Sequence, residues 1–343
     1  MNCPYMEQPM PKTITEQNLR RLIDALISAG TRVVGPRAAG TMTLYEPLTG
    51  GAELNLLELP RRSAKETFFP LCETILTYER DKEGVRVADV DPCAIPETVL
   101  IGPRPCDVAA APVLDSVFSW DYRDEFYLSR REKTTIIGLA CTKGDDACFC
   151  TAVGLSPSDP KGSDLFLTPL AGGGYRCDAI TEKGEALLAA HGDLLADGSG
   201  DPAPLAEPTP GKLDLERIKS WLDTHFEDPL WEEIAERCAG CGACAFLCPA
   251  CHCFDIVDEG GEKKGARRKS WDACGFGKFT NHASGHNPRE EQPSRYRNRI
   301  MHKFKYYVDK FGERLCTGCG RCIRACPVGI DIAAVLEEIN ERG

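Results

Sequence analysis

The chain has 343 residues, of which 42% are hydrophobic and 27% charged, and its net charge is −11 at pH 7. This length suggests about two domains with sizeable cores, and no apolar run approaches the roughly 18 residues that a membrane-spanning helix needs. Basic residues concentrate between positions 262 and 314, with 14 Lys and Arg against 6 Asp and Glu, but the acidic bulk of the chain argues against a nucleic-acid partner.

The amino-terminal half predicts an α/β domain. A helix is expected to begin at Thr13-Ile14-Thr15-Glu16, a pattern typical of a capping box, and to end at Gly30. Strands are predicted at 32–34, 54–57, 98–102 and 134–139. An alanine-rich helical pattern over 107–118 lies between the last two, and this strand–helix–strand order favours a partly parallel sheet.

A stretch rich in proline and glycine, from 191 to 212, separates this half from one in which the hydrophobic spacing is helical. Asp228 and Pro229 predict the N-cap and the first residue of a helix that leads to Cys238. The apolar residues at helical spacing are Leu215, Ile218, Trp221, Leu222 and Phe226, and near the end of the chain Ile332, Val335, Leu336 and Ile339. We therefore predict an α/β domain over 1–195, a linker over 196–212 and an α-helical domain over 213–343.

Nineteen cysteines are the unusual feature of the composition. The first residues, MNCPYMEQPMPK, lack the charged and apolar segments of a secretory signal, so we expect a cytoplasmic protein whose thiols stay reduced. Reduced cysteines at C-x-x-C spacing are typical metal ligands.

One cysteine pattern, C-x2-C-x2-C-x3-C-P, occurs twice. Its members are Cys238, Cys241, Cys244 and Cys248 in the first run and Cys316, Cys319, Cys322 and Cys326 in the second. In such runs the first three cysteines bind one [4Fe–4S] cluster and the fourth, which precedes proline, binds the other. We therefore predict two clusters with exchanged ligands: Cys238, Cys241, Cys244 and Cys326 for one, and Cys316, Cys319, Cys322 and Cys248 for the other. Zinc also takes four thiolates, but it does not require this register twice.

The sequence around these runs resembles a known family. The segments CAGCGACAFLCPACHCFDI, SWDACGFGKFTNHASGHNPREEQPSRYRNRIMHKF and CTGCGRCIRACPVGIDI, and upstream IGPRPCDVAAAPVLD and GLACTKGDDACFCTAVG, are similar to β subunits of cytosolic hydrogenase/sulfur reductases. The corresponding iron–sulfur subunit of anaerobic sulfite reductase forms a related family. The resemblance implies a protein that links a flavin- and NAD(P)-binding subunit with a hydrogenase or other reductase subunit by carrying electrons.

The spacing of the two runs is informative about the fold. The 67 residues between Cys248 and Cys316 resemble the arrangement of α-helical ferredoxin domains, in which helices rather than hairpins separate the runs. The expected fold class is therefore α+β and multidomain: an α/β amino-terminal domain followed by an α-helical ferredoxin-like domain.

A second group of cysteines lies in the α/β half. Cys106 and Cys141 follow the strands predicted at 98–102 and 134–139, and Cys148 and Cys150 come next on a polar loop. If the two strands are parallel neighbours, these thiols meet at the carboxyl edge of the sheet, where α/β folds bind their ligands. The four predict a third [4Fe–4S] cluster; because their spacing matches no standard run, reactive or structural thiols are the alternative.

Several cysteines remain. We expect Cys251 and Cys253 to pack around the cluster behind Pro249 and to tune its potential. A separate metal site, such as zinc, formed by these two with His252, Cys274, His282 and His286 is the alternative, although the last two histidines are expected to be structural. Cys3, Cys72, Cys93 and Cys177 stand alone and are predicted to act as small apolar residues.

The sequence favours electron transfer over chemistry of its own. No G-x-G-x-x-G follows a predicted strand, there is no P-loop, and no catalytic triad or carboxylate pair stands out. We predict an iron–sulfur electron-transfer subunit of a cytosolic oxidoreductase complex of anaerobic metabolism, with the basic stretch raising cluster potentials or docking a partner. The alternative is a reductase of sulfur compounds, such as sulfite or sulfur, with a site near Cys106 or Cys141; whether the chain is itself an enzyme stays open.

Overall fold

The computed structural model describes residues 11–207 and 213–343, which form mixed α/β structure with two β-sheets. The strands are β1 Lys12–Ile14, β2 Arg32–Ala39, β3 Met42–Pro47, β4 Cys72–Arg80, β5 Val85–Asp89, β6 Thr98–Ile101, β7 Thr134–Leu139, β8 Leu165–Pro169, β9 Tyr175–Ala179, β10 Ala196–Asp197, β11 Phe254–Gly260 and β12 Lys264–Trp271. The α-helices are α1 Glu16–Ser28, α2 Pro105–Val108, α3 Ala110–Trp120, α4 Glu125–Glu132, α5 Glu182–Ala190, α6 Leu215–Thr224, α7 Leu230–Ala235, α8 Ala243–Phe246, α9 Gln292–Met301, α10 Tyr307–Phe311, α11 Arg321–Arg324 and α12 Ile332–Arg342. A π-helical turn, His302–Tyr306, joins α9 to α10.

The larger sheet has eight strands in the order β10-β1-β9-β8-β7-β6-β2-β3. Its centre is parallel, because β2 pairs with β6, β6 with β7 and β7 with β8 in that sense. The strands predicted at 98–102 and 134–139 are therefore parallel neighbours, and the chain leaves both at the same edge of the sheet.

Helices cover both faces of this sheet. Val99 and Ile101 of β6 point to the face covered by α1, whereas Leu100 points to the face covered by α3. This alternation follows from the two-residue period of a strand. The buried residues of α1 are Leu19, Leu22, Ile23 and Leu26, and each such side chain stabilises the fold by about 1.5–3 kcal/mol.

The smaller sheet, β11-β12-β4-β5, is antiparallel and joins distant parts of the chain. Its hairpin β11–β12 lies between the two cysteine runs, so the expectation that helices alone separate them is wrong; α9 and α10 do follow it. The hairpin has a physical signal in the sequence: the β-branched pair Ile256-Val257 precedes a turn at Gly260-Gly261.

Local expectations differ from the structure in three more places. Residues 54–57 form no strand, and their backbone makes an isolated hydrogen bond from the Asn55 N–H to the Pro36 carbonyl, 2.8 Å. The cap of α1 is Thr15, whose Oγ1 accepts from the Asn18 N–H at 3.1 Å, because Thr13 belongs to β1. Phe226 lies beyond the end of α6 and is exposed, since that helix stops at Thr224.

The carboxyl-terminal helices share a core with a loop of the amino-terminal half. The helical residues include Ile218, Trp221, Leu222, Trp231, Ile300, Leu336 and Ile339. Phe149 and Val153, which follow β7, are buried in the same cluster. Across another contact, Val113 of α3 packs in a cluster with Cys248 and Tyr307. The two halves are thus packed together in the structure. Part of the predicted linker is regular, because β10 pairs with β1; residues 208–212 lie outside the described part.

Across residues 11–207 and 213–343, every helix is too short or too polar to traverse a lipid bilayer.

A buried ion-pair network attaches the hairpin β11–β12 to the amino-terminal half. Lys269 Nζ lies 2.7 Å from Glu73 Oε1 and 2.6 Å from Asp124 Oδ2, and Arg130 pairs with the other oxygen of Glu73. The side chains of Glu73 and Lys269 are 4% and 5% exposed. Removing one member of such a network leaves an uncompensated buried charge, which is far more costly than losing a surface pair.

We expect Glu73→Ala to lower the free energy of unfolding by about 3–5 kcal/mol, because the buried Lys269 and the half-buried Arg130 lose their shared carboxylate. Hydrogen exchange of β12 amides in the intact protein measures the loss. Glu259→Ala is the control: this residue pairs with Arg268 on the exposed side of the same hairpin, at 3.3 Å, and its loss should cost about 1 kcal/mol or less. Equal exchange rates in the two variants would contradict the assigned role.

Candidate iron–sulfur sites

Site 1 is a cavity lined by Cys238, Cys241, Cys244 and Cys326. The structure thus brings together the three leading cysteines of the first run and the last cysteine of the second. Two of these sulfurs accept hydrogen bonds: Gln292 Nε2 donates to Cys238 Sγ at 3.1 Å, and the Ile330 N–H donates to Cys326 Sγ at 3.2 Å. Hydrogen bonds of this kind stabilise thiolates and tune the potential of a cluster that they hold.

Site 2 consists of Cys248, Cys316, Cys319 and Cys322. Burial, with a contribution from the charge of Cys248, outweighs nearby cations and raises the pKa of Cys316 to about 11 and that of Cys322 to about 12. The charge of Cys248 likewise acts on the pKa of Cys319. Cys248 therefore lies among the three leading cysteines of the second run, which is the crossed arrangement that two proline-ended runs predict.

Site 3 is a cavity lined by Cys106, Cys141, Cys148 and Cys150. These four thiols come from the carboxyl edge of β6 and β7 and from the loop that follows, so the parallel pairing brings them together as the sequence suggests. Arg324 Nη2 donates to Cys148 Sγ at 3.0 Å. Burial raises the pKa of Cys150 to about 11, so binding a metal here must displace a proton from that thiol.

The three sites follow one another in space. Cys322, from site 2, also lines the cavity of site 1, and Cys319, from the same run, lines the cavity of site 3. Site 2 therefore lies between the other two. Cys248 is buried, whereas Cys241 in site 1 is exposed, so the middle site is more enclosed than that end.

Two glycines of the second run permit the close approach of site 3. Gly318 and Gly320 have φ of +62° and +71°, a region that suits glycine. A Cβ atom on Gly318 would lie 2.5 Å from the Cα of Cys150, and one on Gly320 would lie 2.2 Å from the carbonyl oxygen of Ala147. The backbone of the second run thus packs directly against the loop that carries two thiols of site 3.

A buried ion pair also connects the second cysteine run to the residues of site 3. Arg321, which lies between Cys319 and Cys322 in the sequence, binds the carboxylate of Asp107 through two hydrogen bonds of 2.8 and 2.7 Å. Asp107 directly follows Cys106 of site 3. The charge pair therefore fixes the second run against the end of β6.

Two buried cations face the thiols of sites 1 and 2. Arg299 and Lys303 are 5% and 2% exposed, and neither forms a salt bridge with a carboxylate of the described residues. Lys303 Nζ donates to Cys248 Sγ at 3.3 Å and to the Leu315 carbonyl at 2.8 Å. Burial lowers the pKa of Lys303, but the charges of Cys248 and Cys251 outweigh it and raise that pKa overall.

Arg299 lies in a similar electrostatic environment. Burial opposes its charge, yet the thiolates of Cys244 and Cys322 raise its pKa well above the ordinary value. Unpaired buried cations are costly, so this region is suited to groups that carry negative charge, such as thiolate-ligated clusters. Both cations belong to the basic stretch but were not predicted individually; their i, i+4 spacing, which puts them on one helical face, was the available signal.

Three further cysteines, Cys251, Cys253 and Cys274, lie beside sites 1 and 2. Cys251 is buried and its thiol donates a hydrogen bond to Cys248, which lowers the pKa of Cys248 well below its usual range despite burial. Cys253 makes the same kind of contact with Cys274. Within residues 11–207 and 213–343, no three or more His, Cys, Asp or Glu side chains are arranged to hold a single metal ion, so the zinc alternative gains no support.

The isolated cysteines differ from one another. Cys177 is buried in the core, as predicted, but Cys72 and Cys93 are exposed, so the expectation that they act as apolar residues is wrong. Their sulfurs contact the hydroxyls of Ser270 and Ser129 at 3.2 and 3.9 Å. Cys3 lies outside the described residues. His282 and His286 are both exposed, with ring centroids 5.4 Å apart.

The thiol sites fit iron–sulfur clusters, because they present sets of four separated, mostly half-buried cysteines with N–H donors and cations nearby. The class is that of [4Fe–4S] dicluster proteins: residues 237–330 match a family described as a 4Fe-4S dicluster domain.

Comparison over nearly the whole chain is more specific. The chain is 31% identical over 319 residues to sulfhydrogenase 2 subunit beta of Pyrococcus furiosus, an alignment that covers 90% of this chain and 92% of that protein. The chain belongs to the sulfhydrogenase β-subunit family, which confirms the resemblance to hydrogenase/sulfur reductase β subunits, and it is an iron–sulfur electron-transfer protein.

We expect Gly320→Ala to loosen site 3, because the added methyl group meets the backbone of Ala147 as well as an unfavourable φ. Iron content and the thermal unfolding midpoint should both fall. Gly329→Ala is the matched control, since Gly329 has φ of +68° in the same run but open space around its Cβ position. A control variant as damaged as Gly320→Ala would assign the effect to backbone strain alone.

Proposed function

We propose that this chain relays electrons between two partner subunits of a hydrogenase/sulfur reductase complex. One partner would be a flavin- and NAD(P)-binding subunit; the other would be a hydrogenase or other reductase subunit. The proposal is supported by the name of its relative, a sulfhydrogenase β subunit, and above all by three thiol sites in a row. A location in the cytoplasm is part of the proposal and rests on the many cysteines at C-x-x-C spacing, which is typical of reduced metal ligands.

The proposed clusters are three, all [4Fe–4S]. Their ligands would be Cys238, Cys241, Cys244 and Cys326 at site 1; Cys316, Cys319, Cys322 and Cys248 at site 2; and Cys106, Cys141, Cys148 and Cys150 at site 3. Each cluster, when bound, supplies a one-electron carrier whose potential depends on charge, hydrogen bonds to sulfur and exposure.

The residues around the sites would influence the cluster potentials and define the two surfaces where electrons enter and leave. Lys303 and Arg299 place positive charge beside sites 1 and 2, which favours the reduced, more negative state there. Cys241 is exposed at site 1, and the loop over 142–146 beside site 3 is largely exposed. We infer that these two surfaces are where the partner subunits approach, because electron transfer requires short distances.

We infer two structural units, 1–195 and 213–343, joined by 196–212, with an α-helical ferredoxin-like arrangement around sites 1 and 2. The smaller sheet, which combines strands of both units, and the Arg321–Asp107 pair would hold the units in one orientation. A fixed orientation suits a relay, because it keeps the distance between site 2 and site 3 constant.

The number of clusters can be tested with Cys141→Ser. A third cluster predicts about 12 irons per chain in the parent protein and about 8 in the variant, because a cubane contains four. Iron is measured on protein purified without oxygen, and Cys177→Ser, which changes a buried lone thiol, should keep the full amount. Unchanged iron with lost turnover of the complex would instead favour a reductase of sulfur compounds with its site at Cys141.

The role of Lys303 can be tested with Lys303→Met. Losing a charge-assisted hydrogen bond to Cys248, typically worth about 1.5–3 kcal/mol, should lower the potential of one cluster by on the order of 60–120 mV. Redox titration followed by electron paramagnetic resonance measures the shift. Lys305→Met is the control, because Lys305 binds Asp223 away from the thiols and should leave the potentials unchanged. An unchanged potential in Lys303→Met would refute the proposed role.

A further inference from the structure

A fourth group of thiols lies beside site 1 and takes no part in the three sites. It lines a small cavity whose walls include Cys251, Cys253, Cys274, His252, Arg299 and His302. Cys274 also lines the cavity of site 1, so the two cavities share a wall. Cys251 contacts Cys248 of site 2, which leaves Cys253 and Cys274 as the pair without an assigned role.

The hairpin β11–β12 brings these two cysteines together. Cys253 directly precedes β11 and Cys274 follows the end of β12 by three residues. Phe254 is paired with Trp271, and the Asp272 N–H donates to the Cys253 carbonyl at 2.9 Å, so the two chain ends leave the hairpin side by side. The thiol of Cys253 hydrogen-bonds to the sulfur of Cys274.

This contact distinguishes the pair from two ligands of one predicted cluster. Cys316 and Cys322 in site 2, and Cys148 and Cys150 in site 3, influence one another through charge without a hydrogen bond between their sulfurs. Cluster ligands must stand apart because an iron core lies between them. Cys248 contacts Cys251, a sulfur outside its site, but two sulfurs in contact cannot both bind the same core, and the described residues offer no single-ion site. The pair is suited to a bond between the two sulfurs.

We propose that Cys253 and Cys274 are a redox-active dithiol–disulfide pair that stores two electrons beside site 1. In the oxidised state one S–S bond joins them; two electrons, delivered singly by a reduced iron–sulfur cluster, and two protons from water break that bond and yield two thiols. Oxidation reverses the step, with oxidised clusters as the electron acceptors. This inference rests on the proposed electron-relay function, which supplies the one-electron carriers.

The surroundings suit this chemistry. The hydrogen bond from Cys253 lowers the pKa of Cys274 to about 6 against the effect of burial, with Arg299 and Lys303 assisting, so Cys274 is the better thiolate. Thiolate character favours formation and cleavage of disulfides. Cys274 is 8% exposed, which hinders exchange with thiols in solution and favours electron transfer from within the protein.

The test uses the full chain, purified without oxygen and poised either oxidised with thionine or reduced with dithionite. Each sample is denatured in acid, its thiols are blocked with N-ethylmaleimide, and its peptides are identified by mass spectrometry. We expect a Cys253–Cys274 linked peptide in the oxidised sample and two blocked thiols in the reduced one. Cys177, a buried lone thiol, should be blocked in both. Two blocked thiols at Cys253 and Cys274 in the oxidised sample would overturn the proposal.

Variants separate this pair from a cluster site. Cys253→Ser and Cys274→Ser should keep the iron content of the parent protein, while each chain takes up two fewer electrons in a reductive titration. Cys251→Ser is the matched control from the same cavity and should keep the disulfide. Loss of about four irons in Cys274→Ser would assign this residue to a cluster and overturn the proposal. A parent protein without iron would instead refute the electron-relay function itself.

Discussion

The hydrogen bond from Lys303 to Cys248 is the interaction on which the carboxyl-terminal region depends. A lysine 2% exposed and without a carboxylate partner among the described residues is unfavourable unless negative charge lies beside it. Sulfur ligands supply that charge. The same balance applies to Arg299, so the helix that carries both residues is stable in this position because the thiols are there. Cofactor binding and folding of this region are therefore coupled.

The proposed relay also needs the amino-terminal half of the chain. Site 3 is built on the carboxyl edge of a parallel sheet, a geometry unrelated to the helical framework around sites 1 and 2. Close backbone contacts at Gly318 and Gly320 bring these two architectures together, and the Arg321–Asp107 pair adds a charged connection. Each of these residues is in the second cysteine run or directly beside a cysteine of site 3. The residues between the cysteines thus do as much as the cysteines to position the sites.

Much of the architecture could be predicted from local sequence. Periodicity identified α1, α6 and α12, and apolar runs identified β6 and β7. An element buried on one face has periodic apolar residues, and one buried on both faces has a continuous apolar run. Cysteine spacing led to the crossed grouping of sites 1 and 2, since the run has a fixed geometry. The grouping at site 3 required parallel pairing of two strands, which β–α–β order made foreseeable.

Other features depend on contacts between residues far apart in the chain, and local patterns do not contain them. The pairing of β12 with β4 joins residues almost 200 positions apart, and neither strand indicates its partner. Buried cations such as Arg299 look like ordinary surface residues in a basic stretch. The four residues at 54–57 have apolar alternation, but they make a single backbone hydrogen bond to β2 and no continuous ladder, so their tertiary surroundings outweigh the local pattern.

The smaller sheet, in which β4 pairs with both β5 and β12, has a consequence for how the protein is made. When β4 and β5 leave the ribosome, one edge of β4 lacks its neighbour until β12 is synthesised, on the order of ten seconds or more later. An uncovered strand edge during that interval is a template for wrong pairing with other chains. Assembly of this protein is therefore most vulnerable before its second half emerges, and a chaperone that shields nascent strands would protect it at that stage.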